Sequence, residues 1–411
     1  MMRVFPSLTL SFLALILPLG AAEPADTNYD EAKVPGYTLP ELETGSRTHW
    51  EKTRRAEVMA LLEKHVYGKT PEAAVEITAQ LLEGPTKVFD GIAVRRQVKL
   101  TFTPKTQPDR ALGIEVLLYT PANRKEKSPA FLGLNFSGNQ SVHPDPGIRM
   151  SPAGGKARGI YEDRWQVEML LKRGYGLVTA HRDDIDPDNY RNDFGDGPHP
   201  LFYTEGQTKP AEEGWGSIGA WAWALSQTRK WLEKDELIDA QRLAVIGHSR
   251  LGKTALWAGA QDQNFAMVVS NNSGSGGAAL YRRCYGERIH HMLKPVGYWF
   301  CRNHARYAMR EAEMPVDQHM LLAAIAPRGL YVASATEDRW ADPKGEFLAL
   351  KAAEPAYALY DLAGLPATAW PPPNQPVSSA RLGYHLRAGK HQVTAFDWKR
   401  YLDFADKVMA K

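Results

Sequence analysis

Apolar and polar residues alternate along the first third of the chain and give way to short continuous apolar runs further on. Alternation at every second position is typical of strands that bury one face, whereas a continuous apolar run indicates a strand buried on both faces. The pattern predicts antiparallel strands at residues 75–82, 92–102 and 112–119 and a central strand at 129–136. Ahead of them, apolar residues at helical spacing predict a helix over 48–67 that Gly68 ends.

From residue 165 onward, strand and helix patterns follow one another. The predicted strands are 176–180, 243–246, 267–270, 330–334 and 381–386. The predicted helices are 165–172, 215–233, 250–260, 319–326, 343–353 and 395–409. Strands that alternate with helices form a mostly parallel sheet with helices on both faces, so we expect an α/β fold, a three-layer αβα sandwich.

The chain divides into three predicted parts. Residues 1–22 combine a positive charge, a short apolar run and small residues at the end, which is typical of a secretory signal peptide. Residues 23–90 form an N-terminal extension with one helix packed on the core, and residues 91–411 form one catalytic domain. We therefore expect a secreted or periplasmic protein.

Composition narrows the possible partners. The 411 residues carry a net charge of only +3, which argues against nucleic acid and anionic membranes as partners. No apolar stretch after the signal peptide is long enough to span a bilayer, and we expect a monomer. The two cysteines, Cys284 and Cys301, either pair or remain separate thiols, and both interpretations stay open.

The candidate chemistry centres on Leu243–Lys253, which reads LAVIGHSRLGK. A buried strand, a glycine, Ser249 and a helix together predict a nucleophile elbow, in which a strained turn projects the serine from the sheet edge. The second glycine, Gly252, stands one place later than in the common G-x-S-x-G pattern. Similar turns occur in nucleotide-binding folds, so the local sequence leaves that alternative open.

A serine nucleophile needs a histidine base, oriented by a carboxylate that precedes it in the chain of such folds. We predict His391 as the base because it lies in a loop after the last strand, whereas His385 falls inside that strand. The acid should follow the strand that ends at residue 334, where the candidates are Glu337, Asp338 and Asp342. Asp342 stands directly before Pro343, a position typical of a helix cap, so we prefer Asp338.

Three side chains near these groups are candidates for substrate contacts. Arg250 follows the predicted nucleophile. A guanidinium there could stabilise the oxyanion or hold a carboxylate-like acyl group, and the alternative is a surface ion pair. Lys253 lies three residues on, so it shares the same helix face. Trp340 lies in the acid loop, where its ring can stack on a sugar.

Two other clusters carry weaker signals. Asp183, Asp184, Asp186 and Asp188 are spaced like a calcium loop, but Asn189 stands where the EF-hand requires glycine, which favours a solvated turn. His290 and His291 lack the spacing of a helical zinc pair. We therefore predict no metal site. The long segments 181–214 and 274–317 contain these clusters and lack a clear strand, and long loops are usually functional.

The segment Gly247–Lys253, GHSRLGK, resembles the G-x-S-R-x-G-K signature of the glucuronoyl esterases, carbohydrate esterase family 15. Further similar stretches are Asn272–Gly277, Glu337–Pro343, Gly389–His391 and the opening Tyr37–Glu72, so the resemblance covers nearly all of the mature chain.

The resemblance implies an α/β-hydrolase fold with Ser249 as nucleophile, His391 as base and Arg250 in the oxyanion hole. It also implies that the hydroxyl groups of a glucuronoyl sugar are contacted by Lys253, Glu287 and Trp340. The implied reaction is hydrolysis, without a cofactor, of the ester between glucuronic acid on xylan and lignin alcohols.

Two departures from the family pattern indicate a bacterial-type member. Fungal members carry a catalytic glutamate at the position of Asn272, and an amide cannot replace it, so the resemblance implies that the acid is Asp338 alone. Fungal members also have two disulfide-bonded cysteines where this chain has His248 and Gln392.

Two alternatives remain. The chain is an acetyl xylan esterase or another carbohydrate-ester hydrolase with the same Ser-His-Asp triad, or it is a carbohydrate-binding module on a decayed hydrolase fold. The intact serine, acid and histidine argue against the second alternative.

Overall fold

A computed structural model describes residues 24–189 and 194–410, so the predicted signal peptide lies outside the described residues. None of the helices within these ranges has the length and apolar character that crossing a bilayer requires.

One continuous helical segment, residues 47–67, precedes the sheet. It consists of α1 (Arg47–His49), π-helical Trp50–Arg54, α2 (Arg55–Leu62) and π-helical Glu63–Tyr67. Trp50, Val58 and Val66 are fully buried, which confirms the predicted helix and its apolar face. Gly68 ends the segment with φ 84°, a left-handed conformation that glycine adopts without strain.

Within the described residues, ten strands form a single sheet in the order β1-β2-β3-β5-β4-β6-β7-β8-β10-β9. Their bounds are β1 (Val75–Val88), β2 (Ala93–Pro104), β3 (Leu112–Pro121), β4 (Ser128–Asn135), β5 (Gly176–His181), β6 (Ile238–His248), β7 (Met267–Asn271), β8 (Gly329–Ala335), β9 (Val377–Ser378) and β10 (Leu382–Arg387). At one end of the sheet, β1, β2, β3 and β5 pair antiparallel with their neighbours in that order. The central strands β5, β4, β6, β7, β8 and β10 pair parallel, and β9 pairs antiparallel with β10 at the other edge. The predicted mixed, mostly parallel sheet is confirmed, and β1, from the predicted N-terminal extension, pairs with β2 within it.

The remaining helices cover both faces of this sheet. They are α3 (Glu162–Trp165), α4 (Val167–Lys172), α5 (Ser217–Leu232), α6 (Arg250–Gln261), α7 (Ile289–Val296), α8 (Gln318–Ala323), α9 (Pro343–Ala352), α10 (Glu354–Ala358) and α11 (Ala395–Val408). Neighbouring residues of β4 point to opposite sides: Leu132 packs in one apolar core with Trp221 and Trp257, and Phe131 packs in a second core with Trp398. The two cores confirm the three-layer sandwich.

The structure differs from the predicted elements in several places, and two short elements, α10 and β9, had no predicted counterpart. The helix predicted over 165–172 is interrupted at Gln166, whose φ of 45° divides it into α3 and α4. The long segment 274–317 contains no strand, as predicted, but it holds α7 and several 3-10 turns that were not predicted. Helix α7 has an internal proline, Pro295, so its sequence gave no helical signal.

Candidate active site

Ser249 stands on the turn between β6 and α6, with φ 58° and ψ −131°. A non-glycine residue in this region is strained, and such strain is typical of functional turns. Two glycines make the turn possible. A Cβ atom on Gly247 would lie 1.8 Å from the Leu251 carbonyl oxygen, and one on Gly252 would lie 3.0 Å from Cβ of Ser273. The displaced Gly252 therefore lets α6 approach the turn that follows β7.

His391 and Asp338 form a hydrogen-bonded pair. His391 Nδ1 lies 2.6 Å from Asp338 Oδ2, across loops that follow β10 and β8. Asn272 Nδ2 donates to the same carboxylate oxygen at 2.6 Å, from a left-handed conformation with φ 49°. Because Nδ1 of His391 is occupied by Asp338, its Nε2 is the nitrogen that can take a proton from a nucleophile.

Of the other candidates for base and acid, His385 and Asp342 have structural roles. His385 is fully buried in β10, and its two ring nitrogens contact Asp397 at 2.8 Å and the Tyr331 hydroxyl at 3.1 Å. Asp342 caps α9 by accepting from the Gly345 backbone N–H at 3.0 Å, as its position before a proline predicts. Glu337 is exposed to solvent.

His248 connects the serine turn to His391. Its ring lies 4.4 Å from the ring of His391, centroid to centroid, so the residue before Ser249 contacts the predicted base. Its Nδ1 is 2.6 Å from Oδ1 of Asn271. Burial, together with the nearby charge of His391, holds the pKa of His248 well below its usual value, so this imidazole is neutral at neutral pH.

Arg250 is held beside the turn by a buried carboxylate. Its Nη1 lies 2.5 Å from Oδ2 of Asp188, and its guanidinium stacks on the Trp299 ring at 4.7 Å. Asp188 also accepts from the Tyr298 hydroxyl at 2.6 Å and from Trp299 Nε1 at 2.8 Å. The long segments 181–214 and 274–317 therefore meet at Asp188 and fix the guanidinium between them.

The predicted solvated turn over the four aspartates is wrong. The side chains of Asp186 and Asp188 are buried, and Asp183 and Asp184 are largely covered. The cationic and histidine partners of this group are His181, Arg182, His199 and Arg250. These partners compensate the charges that burial would otherwise leave unpaired.

Lys253, Glu287 and Trp340 form one connected cluster. Lys253 is buried in α6, and its ammonium donates to the carbonyl oxygens of Ser273 and Ser275 at 2.6 Å each and to Glu287 at 3.2 Å. Trp340 Nε1 donates to the second oxygen of Glu287 at 3.0 Å, and the Trp340 ring is half-buried. All three donors of the ammonium are thus in use, and a sugar hydroxyl that reached Lys253 would share it with Glu287.

Glu346 is a buried acid that the sequence did not single out. One of its oxygens accepts from the backbone N–H groups of Ser273 and Gly274 at 2.8 and 2.9 Å, and the other accepts from the Ser334 hydroxyl at 2.6 Å. Burial raises its pKa to about 7. Glu346 therefore fixes the backbone directly after Asn272, the residue that donates to Asp338.

Cys284 and Cys301 are both free, which decides between the two interpretations. The Cys301 thiol donates to the Lys64 carbonyl oxygen at 3.6 Å, and the Cys284 thiol to that of Tyr281 at 3.8 Å.

Within the described ranges, one group of side chains has the spacing of metal ligands: Asp26, His290 and His291, with donor atoms within 4.8 Å of one another. The backbone N–H of Arg288 donates to Nδ1 of His291 at 3.1 Å, so the hydrogen of this imidazole is on Nε2. That nitrogen faces Asp26 at 3.2 Å and acts as a donor there. The arrangement fits a hydrogen-bonded contact better than a metal site, because a ligating nitrogen needs a free lone pair.

A serine on a strained strand-to-helix turn, within a mostly parallel sheet covered on both faces, defines an α/β-hydrolase. A family model described as "Glucuronyl esterase, fungi" matches residues 162–361. The relative named Carbohydrate esterase MZ0003, from an unknown prokaryotic organism, is 43% identical over 410 residues, covering 94% of this chain and 93% of its own.

Two solved structures are similar over almost the whole chain. A promiscuous CE15 esterase from a marine bacterial metagenome is 42% identical, with a TM-score of 0.85, and covers 93% of this chain and 100% of its own. A glucuronoyl esterase from Solibacter usitatus is 42% identical, with a TM-score of 0.86, and covers 92% of this chain and 100% of its own. The chain belongs to carbohydrate esterase family 15, the glucuronoyl esterases, and is a carboxylic ester hydrolase.

Proposed function

We propose that this enzyme hydrolyses esters of glucuronic acid or 4-O-methyl-glucuronic acid, as in the cross-links between glucuronoxylan and lignin alcohols. The observation that carries the proposal is the cluster of Lys253, Glu287 and Trp340. Lys253 lies on α6 one turn after Ser249, and the cluster joins a cation, a carboxylate and an aromatic ring through hydrogen bonds of 3.2 and 3.0 Å. Hydrogen-bonding groups beside an aromatic ring suit the hydroxyl groups and the apolar face of a sugar.

The chemistry we propose follows the serine esterase mechanism. His391 takes the proton of Ser249 through Nε2, and the serine oxygen attacks the ester carbonyl to form a tetrahedral intermediate. Its oxyanion is stabilised by Arg250 and by backbone N–H groups at the start of α6. His391 then protonates the leaving alcohol, and water hydrolyses the glucuronoyl-serine intermediate by the same steps.

Asp338 and Asp188 support the two reactive partners in this scheme. The Asp338 carboxylate, 2.6 Å from His391, stabilises the imidazolium that forms when the proton is transferred. The Asp188 carboxylate, 2.5 Å from Arg250, holds the guanidinium in place before substrate arrives. A preorganised cation needs no reorientation as charge develops on the oxyanion.

We also propose that the protein is secreted or periplasmic through a signal peptide at residues 1–22, and that it acts as a monomer on xylan or lignin–carbohydrate fragments without a cofactor.

An acetyl xylan esterase remains the second candidate, and the position of the sugar separates the two. In a glucuronate ester the sugar is the acyl group that stays on Ser249, so a sugar-binding cluster next to the serine serves every step. In an acetate ester the acyl group is acetyl, which carries no sugar and would leave Lys253, Glu287 and Trp340 without a partner on the acyl-enzyme. The cluster therefore favours the glucuronate ester.

The test compares benzyl glucuronate with an acetylated xylooligosaccharide, using the natural chain, Ser249→Ala and the control Ser226→Ala, which changes a serine of α5. We expect turnover of benzyl glucuronate by the natural chain and the control, and a loss of at least about 10³-fold in Ser249→Ala. Undiminished turnover in Ser249→Ala would refute the role of the serine. A preference for the acetate would favour the second candidate, and labelling by a serine-directed phosphonate excludes a non-catalytic binding module.

A further inference from the structure

The first described residues, 24–33, lie across the two loops that carry Glu287 and Trp340, and we call this segment the N-terminal strap. On the Glu287 loop, the carbonyl oxygen of Asn28 accepts from the Gly286 backbone N–H at 2.9 Å. The carboxylate of Asp26 receives Nε2 of His290 at 2.7 Å and Nε2 of His291 at 3.2 Å. On the Glu287 loop, Gly286, His290 and His291 are thus hydrogen-bonded to the strap.

The strap is also tied to the Trp340 loop. The Arg339 guanidinium donates to the Tyr29 carbonyl oxygen and stacks on the Tyr29 ring at 4.5 Å. Further along the strap, the carboxylate of Glu31 pairs with Arg283 at 2.5 Å and with Lys344 at 2.8 Å. The strap therefore connects two loops that are about 50 residues apart in sequence.

Three of these contacts lie next to a residue of the proposed sugar cluster. Gly286, which donates to the strap, precedes Glu287, and the Glu287 backbone N–H donates to the Trp340 carbonyl oxygen at 2.8 Å. The His291 ring stacks on the Trp340 ring at 5.2 Å and 26° between the planes. Arg339, held by Tyr29, directly precedes Trp340.

We propose that the N-terminal strap is a positioning element of the sugar-binding site, which holds the Glu287 carboxylate and the Trp340 ring in the arrangement that binds glucuronate. The proposal rests on the proposed function, because it assumes that this cluster contacts the sugar. Arg339 also follows Asp338, but among the interactions described the strap contacts none of the side chains of Ser249, His391 and Asp338. Its main effect should therefore fall on sugar binding.

The decisive variant is a truncation that begins at Val34, compared with a chain that begins at Glu23. Each is assayed with benzyl glucuronate and with p-nitrophenyl acetate, a small ester that needs the serine, the base and the oxyanion hole but offers nothing to Glu287 or Trp340. We expect the truncation to raise KM for benzyl glucuronate at least about tenfold, and to leave kcat/KM for p-nitrophenyl acetate within about twofold.

A second variant keeps the chain length and removes the side-chain contacts: Asp26→Ala combined with Glu31→Gln. We expect a smaller rise in KM, about threefold to fivefold, with unchanged turnover of the acetate. Its control is Glu72→Gln, which breaks an exposed ion pair with Lys69 at 3.1 Å, away from both loops, and should change neither constant.

Three outcomes would overturn the proposal. One is an unchanged KM for benzyl glucuronate in the truncation. Another is a parallel loss of both activities with a lower melting temperature in both variants, which would show that the strap only stabilises the fold. The third is an equal effect of Glu72→Gln. Failure of the proposed function would be distinguishable, because the chain that begins at Glu23 would then not hydrolyse benzyl glucuronate at all.

Discussion

Asp338→Asn should reduce kcat by removing a charge while keeping a hydrogen bond. In the natural chain, Oδ2 of Asp338 accepts from both His391 and Asn272, at 2.6 Å each. An amide at this position has one oxygen, and only that oxygen can face two donors. The Asn272 amide therefore fixes the orientation of the new amide, and Nδ1 of His391 keeps an acceptor.

The size of the loss follows from the missing charge. Two opposite unit charges about 4 Å apart attract by about 4 kcal/mol at an effective dielectric constant of about 20. The His391 side chain is 43% exposed, so solvent screening reduces this to about 3–4 kcal/mol. We therefore expect kcat to fall about 10²–10³-fold. This is less than the roughly 10⁴-fold loss expected where an amide also forces the wrong histidine tautomer.

The assay is kcat for benzyl glucuronate at pH 7 in a set of four variants. Asp338→Asn combined with Asn272→Ala should lose about tenfold more than Asp338→Asn alone, because the new amide can then turn its NH₂ group toward the histidine. Asn272→Ala alone should cost less than about tenfold, and Glu337→Gln is the matched control at the neighbouring acid. A loss below tenfold in Asp338→Asn would refute the assignment of the acid, and an equal loss in the double variant would refute the orienting role of Asn272.

Three further outcomes follow from the same site. Asp188→Asn should lower kcat about 10–100-fold, because the guanidinium of Arg250 loses the carboxylate that holds it, and an unchanged kcat would contradict the role given to Arg250. Glu346→Gln should change how stability depends on pH. The pKa of Glu346 is raised from 4.5 to about 7 in the folded state, so the folded chain binds the extra proton and loses about 3 kcal/mol of unfolding free energy as pH rises from 4.5 to 7. In urea titrations across that range, the variant should not show this loss. A pH dependence identical to that of the natural chain would refute the raised pKa of Glu346. Gly247→Ala should destabilise the fold by about 3 kcal/mol or more, since its Cβ atom would lie 1.8 Å from a carbonyl oxygen, whereas the control Gly36→Ala meets no atom within 4 Å; equal melting temperatures would contradict this.

Most strands and helices around the serine could be predicted because their apolar pattern is local. The strand predicted at 129–136 is observed at Ser128–Asn135, and the helix predicted at 395–409 at Ala395–Val408. The interruption at Gln166 could not be predicted, because the spacing of the apolar residues around it does not indicate a left-handed backbone conformation.

In the candidate site, too, features that depend on local sequence could be predicted, and contacts between distant residues could not. The short pair between Asp338 and His391 agrees with the order of the motifs along the chain. The burial of Asp188 could not be predicted, because its partner Arg250 is 62 residues away and charged side chains are usually exposed. The strap was missed for a similar reason: its segment is polar, and its partners lie more than 250 residues further on.

The two free thiols have a practical consequence for producing the enzyme. Burial raises the pKa of Cys284 and raises that of Cys301 to about 11, so at neutral pH little of either thiol is in the nucleophilic thiolate form. Since the folded structure contains no disulfide among the described residues, synthesis in the reducing cytoplasm of a bacterial host needs neither an oxidising strain nor a disulfide isomerase. Reducing agents and crude lignocellulosic extracts that contain thiols should then leave the melting temperature unchanged.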